Sequence, residues 1–182
     1  MLSKQIHKNE RKYLPEFVYG GIDGSVTTFA VVAGAIGASL NPAIILILGF
    51  ANLFADGFSM AVSNYLSTKS QNDLHLKNKR YGSVQDQAKH PIKCGLATFF
   101  SFLIVGFIPL LSFVLALISP YIDANKFAYS IILTGIALFF VGFIKGEVVK
   151  KHPLRAAIET LIIGGIAATL AYFVGYLLRG LA

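Results

Sequence analysis

The sequence is poor in charge and in cysteine. Only 14% of its 182 residues are charged, whereas 55% are hydrophobic, and soluble domains carry about a quarter charged residues. Its apolar runs are long enough to span lipid instead of filling a soluble core. One cysteine, Cys94, excludes an intrachain disulfide. Low charge and long apolar runs together predict an integral membrane protein.

A cleavable signal and a concentrated basic patch are also missing. The first apolar stretch, residues 17–40, is too long for a typical signal-peptide core and is followed by no small-residue cleavage site, so we expect a retained helix. The net charge of +7 comes from basic residues that are distributed among loops. That distribution indicates membrane orientation and predicts no nucleic-acid partner.

Five apolar segments have the length of a transmembrane helix. They cover approximately residues 18–40, 43–66, 96–118, 127–149 and 156–178. Asn41-Pro42 forms a turn so short that the first two helices must be an antiparallel hairpin. Pro109 inside the third segment predicts a kink. The predicted fold class is an all-α integral membrane protein with five transmembrane helices, forming a single domain over residues 1–182.

Basic residues are unequally divided between the two sides of these helices. Of the 16 Lys and Arg residues, only Lys126 and Arg179 fall on one side. By the positive-inside rule the amino terminus is cytosolic and the carboxy terminus outside. Residues 1–16 are basic, and two alternatives are open for them: an amphipathic helix on anionic lipid or a frayed tail. Pro15 is expected to end any helix there.

Residues 67–95 are predicted to form a short cytosolic loop whose first part extends the second helix into water. His90 and Cys94 lie four residues apart within it, with His75 nearby. This spacing also occurs among metal ligands, but it has low specificity. Pro91 would disturb a helix between the two, so we interpret them as solvated loop residues.

The second apolar segment contains polar side chains that lipid disfavours. Asn52, Asp56, Met60 and Asn64 recur every four residues, so on a helix they form one stripe. A carboxylate at the centre of a membrane helix costs about 2.5–3.5 kcal/mol on insertion scales. Asp23 in the first helix is expected to reach a similar depth in the antiparallel hairpin. We predict that these residues line a cation path; the alternative is that each aspartate only caps or pairs locally.

The donor types indicate which cation the stripe would handle. Carboxylate and amide oxygens suit hard and borderline cations, and a thioether adds a softness that Mg²⁺ and Ca²⁺ do not need. The combination favours Fe²⁺ and, less clearly, Mn²⁺, Co²⁺, Ni²⁺ or Zn²⁺. Because a metal binds the deprotonated carboxylate, loading displaces protons and predicts proton–metal exchange. The ion is expected as transported cargo, with no permanently bound cofactor.

Several runs resemble the vacuolar iron transporter family. They are FVYGGIDGSVTTFAVVAGAIGA, GFANLFADGFSMAVSNYLSTKSQ, ATFFSFLIVGFIPLL, GFIKG and AAIETLIIGGIAATLAYFVG. The resemblance covers about residues 16–176. It implies a homodimer with the ion path between subunits, which exports Fe²⁺ and often Mn²⁺ from the cytosol by proton exchange and is not an enzyme. It places the family's transport aspartate at Asp23 and its methionine at Met60, and Asp56 lies in an ADG-x-SM pattern.

The sequence departs from the family in two places. The better-studied members carry a Glu-rich cytosolic domain between the second and third helices, but residues 67–95 contain no glutamate. Many members also read GEY where residues 63–65 read SNY, so the amide of Asn64 replaces a carboxylate. Glu147 and Glu159, at the cytosolic ends of the fourth and fifth helices, are expected either to load metal instead or to pair with nearby basic residues.

Three alternatives to this interpretation are open. An intramembrane aspartyl protease also needs two membrane aspartates, but those enzymes share a GxGD element, whereas Asp23 and Asp56 lie in IDG and ADG. The others are a transporter of another cation and a non-transporting scaffold. The short chain and absent targeting sequence favour a bacterial cytoplasmic membrane, or a vacuolar membrane if the protein is eukaryotic.

Overall fold

The protein is helical throughout the part of the chain that its computed structural model describes, residues 2–79 and 89–181. No strand occurs in that part, which confirms the all-α prediction. The α-helices are α1 (Leu2–Gly37), α2 (Pro42–Lys79), α3 (Pro91–Gly106), α4 (Ile108–Ala116), α5 (Pro120–Asp123), α6 (Lys126–Val148) and α7 (Pro153–Leu178). A 3₁₀ turn, Arg179–Leu181, follows α7.

Four of these helices, α1, α2, α6 and α7, are long and apolar enough to cross a membrane. The axes of α3 and α4 meet at an angle of 43°, and the two helices make a fifth span if they are counted as one bent element. The break falls at Phe107, two residues before Pro109. The proline lacks the backbone donor that would continue the ladder, so a kink is expected there. The five predicted spans correspond to these elements.

α1 is the central helix of the bundle. It packs along α3 and α7, and it also contacts α2 and α6. Glycines allow the close approach to α3, because a Cβ at Gly20 or Gly24 would lie 2.5 Å from the carbonyl oxygen of Thr98 or Phe102. Close backbone packing of this kind stabilises helix pairs in lipid, where burial of apolar surface between helices gains little.

The same packing joins the second half of α1 to α7. A Cβ at Gly34 would lie 3.3 Å from the carbonyl oxygen of Ala171, and one at Gly37 would collide with the carbonyl of Tyr172. Gly175 of α7 in turn lies directly against the backbone of Gly34. Small residues therefore hold α1 between α3 at one end and α7 at the other.

One of the two expected helix ends differs from the structure. α1 runs without a break past Pro15, so the expectation that Pro15 ends a short amino-terminal helix is wrong. The proline removes only one backbone hydrogen bond, and the next turn is fixed by α3, where Ser101 donates to the carbonyl of Phe17. The extension of the second helix beyond residue 66 is confirmed, since α2 continues to Lys79. Residues 80–88 of the predicted loop lie outside the described residues.

The helix ends fall into two groups. The end of α6, the start of α7 and the start of α3 lie near Pro15, and we call this the basic end of the bundle. Two ion pairs mark it: Lys89–Glu16, with N and O 2.6 Å apart, and Lys145–Glu159, at 3.5 Å. The opposite, distal end holds the α1–α2 turn, in which the Asn41 side chain accepts a hydrogen bond from the Ala43 backbone.

Candidate ion path

The predicted polar stripe runs along the edge of the buried face of α2. The buried row of α2 consists of Ile45, Gly49, Leu53 and Gly57. The stripe residues Asn52, Asp56, Met60 and Asn64 are all half-buried. On the far side of the stripe α2 presents an exposed apolar face with Ile47, Phe54, Phe58 and Val62. The stripe therefore lies where the packed interior of one chain meets a surface that lipid or a second copy would cover.

Asp23 and Asp56 come together across the α1–α2 hairpin. Both are half-buried, and they lie close enough for their charges to interact. Neither carboxylate belongs to the hydrogen bonds or ion pairs that the described residues form. Two neighbouring carboxylates without a basic partner repel each other, and a divalent cation or protons would relieve that repulsion.

A cavity of about 340 Å³ adjoins Asp23 on the side away from α2. It lies between α1 and the end of α6, and its walls are Pro15, Val18, Tyr19, Ile22, Asp23, Lys145, Val148 and Val149. Lys145 also forms the ion pair with Glu159. Asp23 thus borders both the α2 stripe and a cavity at the basic end.

The two asparagines of the stripe have different surroundings. The Asn64 amide nitrogen donates to Thr98 Oγ1 at 2.6 Å, and its oxygen accepts from Thr68 Oγ1 at 3.4 Å. Asn64 therefore ties α2 to α3. The amide nitrogen of Asn52 is buried and has no hydrogen-bond partner in the described part of the chain. The Asn52 amide nitrogen is therefore not held by a hydrogen bond to another helix, whereas that of Asn64 is.

Glu147 and Glu159 lie at the basic end and not beside the stripe. Glu159 pairs with Lys145, and its side chain is 63% exposed. Glu147 is also exposed. Glu159 accordingly has the basic partner that the sequence allowed as an alternative to metal loading.

Within residues 2–79 and 89–181, no three His, Cys, Asp or Glu side chains lie together as a possible metal-binding group. One chain offers two carboxylates, with the Met60 thioether on the same stripe as Asp56. Borderline divalent cations bind four to six ligands. Water or a second copy of the stripe is needed to complete such a shell.

Two residues at the basic end were not anticipated. Cys94 is fully buried in the first turn of α3, so its interpretation as a solvated loop residue is wrong, although His90 is exposed as expected. Pro91 starts α3 and does not disturb it, because proline is favoured at the first helical position. Glu16 is buried beside Cys94. Its position seven residues before Asp23, on the same side of a helix, is the one sequence signal that could have found it.

These features define a polytopic all-α membrane protein with carboxylates inside its spans. A family model described as the VIT family matches residues 14–82 and 74–176, and the chain belongs to this family. The resemblance drawn from the sequence is confirmed. Members of the VIT family are transporters, which sets aside the aspartyl-protease alternative.

The relatives match over most of their length. The chain is 28% identical to the vacuolar iron transporter of Toxoplasma gondii, over 97% of this chain and 78% of that protein. It is 26% identical to the vacuolar iron transporter of Plasmodium berghei, over 95% of this chain and 85% of that protein. It is 25% identical to vacuolar iron transporter 1 of Oryza sativa, over 91% of this chain and 85% of that protein. The alignments with the first two cover 235 and 231 positions, more than the 182 residues of this chain, so both relatives have additional residues inside the aligned region.

Proposed function

We propose that the protein transports a divalent metal ion, Fe²⁺ in preference to Mn²⁺, across a membrane. The pairing of Asp23 with Asp56 carries this proposal. Two carboxylates on adjacent membrane helices, with no basic partner among the described residues, are expensive unless a cation or protons balance them. The names of the relatives, vacuolar iron transporters, support iron as the cargo.

Asp23, Asp56, Met60 and Asn52 are the proposed ligands of the ion in transit. The carboxylates balance the charge of one divalent cation, and the thioether favours Fe²⁺ over harder ions. Asn64 has a positioning role, because its amide fixes α2 against α3 through Thr98. Glu147 and Glu159 lie where metal would be loaded, and there the Lys145–Glu159 pair would have to open.

A homodimer is the proposed functional form. The ligand set of one chain is incomplete, and the stripe borders an exposed apolar face of α2. A twofold axis beside that face would bring two stripes together and cover the apolar surface at the same time. The path would then run between subunits, within one transmembrane domain per chain over residues 1–182.

Direction and coupling complete the proposal. The positive-inside rule assigns the basic end to the cytosol and the carboxy terminus to the outside, so the ion would be exported. Carboxylates that exchange a metal for protons would make the protein an antiporter. The membrane is bacterial cytoplasmic, or vacuolar in a eukaryotic cell.

Uptake into proteoliposomes under an imposed pH gradient tests this function. Purified protein should carry Fe²⁺ and, more slowly, Mn²⁺, whereas Ca²⁺ should remain at the level of protein-free liposomes. An ionophore that dissipates the pH gradient should lower the initial Fe²⁺ rate. Absence of Fe²⁺ uptake would reject transport and favour the scaffold alternative. Fe²⁺ uptake at the same rate with and without the pH gradient would reject only the proposed proton exchange.

Met60→Leu is expected to reduce the preference for Fe²⁺ over Mn²⁺ by about fivefold. Leucine keeps the volume but removes the sulfur, and the loss of one weak soft ligand should cost ~1 kcal/mol. Competition between the two ions in the same liposomes would measure the ratio of rates. Phe173→Leu, a change on the exposed surface of α7 away from the stripe, is the control and should leave that ratio unchanged. An unaltered ratio in Met60→Leu would remove Met60 from the ligand set.

A further inference from the structure

A buried carboxylate at the basic end takes no part in the proposed path. Glu16 of α1 is only 9% exposed. Its Oε1 accepts hydrogen bonds from Lys89 Nζ at 2.6 Å and from Cys94 Sγ at 3.7 Å. Its Oε2 is buried and has no hydrogen-bond partner in the described part of the chain. Buried carboxylate oxygens are seldom left unpaired, because the desolvation penalty is then not recovered.

The surroundings of Glu16 contain further donor atoms from two other helices. Cys94 of α3 is 0% exposed, and Thr68 of α2 lies beside it. Thr68 is itself buried. The cluster therefore brings a carboxylate, a thiol and a hydroxyl from α1, α3 and α2 to one point.

The spacing of the donors fits a metal ion. In tetrahedral sites a metal–sulfur bond of about 2.3 Å and a metal–oxygen bond of about 2.1 Å place the two ligand atoms roughly 3.6 Å apart. Cys94 Sγ and Glu16 Oε1 are 3.7 Å apart. A cationic group already contacts this oxygen, since the Lys89 ammonium forms an ion pair with it.

We propose that Glu16 and Cys94 form a second metal site, for a borderline divalent cation such as Zn²⁺, Co²⁺ or Fe²⁺. When no metal is bound, the Lys89 ammonium occupies the position of the ion. Thr68 and water complete the shell. On loading, the thiol releases its proton to water, a sulfur–metal bond forms, and the lysine side chain, 34% exposed, turns out to solvent. The exchange is neutral at the site, because one divalent cation replaces the ammonium and the thiol proton.

This site is separate from the Asp23–Asp56 path. Seven residues of helix separate Glu16 from Asp23, which corresponds to about 10 Å along the axis. The cluster lies at the basic end, so metal bound there would be held where we propose that the ion is loaded. Its existence does not depend on transport, and binding can be measured on protein that is not moving any ion.

Co²⁺ is the probe of choice, because a thiolate ligand gives an intense sulfur-to-cobalt charge-transfer absorption. Full-length protein in detergent, titrated with Co²⁺, should develop this absorption with one equivalent per chain. Lys89→Met removes the competing ammonium and should tighten Co²⁺ binding by about tenfold. Cys94→Ser should abolish the absorption. Lys93→Met, which changes an exposed lysine one position before Cys94, is the matched control and should titrate like the unaltered protein.

Further variants separate this proposal from the transport function. Asp23→Asn should keep the charge-transfer absorption whether or not it transports iron. Zn²⁺ should raise the thermal midpoint of Lys89→Met, in which Glu16 has lost its counter-charge, by more than that of Lys93→Met. Absence of the absorption in both the unaltered protein and a folded Lys89→Met, or its survival in Cys94→Ser, would overturn the proposal.

Discussion

Asp23→Asn is expected to lower the initial rate of Fe²⁺ uptake roughly 100-fold or more. The substitution keeps the shape of the side chain but removes one of the two charges that would balance the ion. Leaving a buried charge without its partner costs about 3–5 kcal/mol, and each 1.4 kcal/mol is about tenfold. The fold should survive, because the Asp23 carboxylate makes no hydrogen bond or ion pair with the described residues.

The measurement is Fe²⁺ uptake into proteoliposomes containing equal amounts of each variant. Asp123→Asn is the matched control. Asp123 is exposed at the distal end, where it pairs with Lys126 at 2.6 Å, and its loss should leave the rate within about twofold because exposed ion pairs contribute little. Size-exclusion chromatography would show whether both variants remain folded. If Asp23→Asn transported Fe²⁺ at the rate of Asp123→Asn, the assigned role of Asp23 would be rejected.

Gly24→Ala is expected to destabilise the protein by about 1–3 kcal/mol, the usual cost of an overpacked contact. The added Cβ would lie 2.5 Å from the carbonyl oxygen of Phe102. Backbone atoms cannot move aside as a side chain can, so α1 and α3 would have to separate. Loss of close packing between two membrane helices is not offset by apolar burial, because lipid solvates the exposed side chains equally well.

Cys94 supplies the measurement for this prediction. It is the only cysteine in the chain and is fully buried, so a maleimide dye reacts with it only as the bundle opens on heating. The temperature midpoint of this labelling should be lower in Gly24→Ala than in the unaltered protein. In the control, Gly165→Ala, no atom beyond the glycine's own turns of helix lies within 4 Å of the added Cβ, and alanine is favoured over glycine in a helix by about 0.5–1 kcal/mol. Equal labelling midpoints in Gly24→Ala and Gly165→Ala would show that the close α1–α3 contact does not limit the stability of the bundle.

Features that depend on local periodicity were predictable from the sequence. The length of an apolar run sets the number of spans, and Pro109 marks the break between α3 and α4, because a missing backbone donor acts within its own turn. The stripe of α2 was also predictable, since side chains four residues apart share a helix face in any surroundings. The short turn at Asn41-Pro42 similarly predicts the hairpin that brings Asp23 to Asp56.

The environments of single side chains at the basic end were not predictable in this way. Pro15 and Pro91 have the same local chemistry, yet one lies inside α1 and the other begins α3. The turn of α1 that follows Pro15 contacts a distant residue, since Ser101 donates to the carbonyl of Phe17, 84 positions away. A local rule contains no information about a contact of that separation.

The sequence by itself determined an all-α membrane protein of the VIT family, with five apolar spans and a polar stripe on the second. Only the tertiary structure decided that Cys94 is buried, that Asn64 binds Thr98, and that Lys89 neutralises a carboxylate 73 residues away. The physical reason is that helix formation and lipid insertion depend on a run of neighbouring residues. Burial and pairing depend on which distant helices the close glycine contacts of α1 bring together.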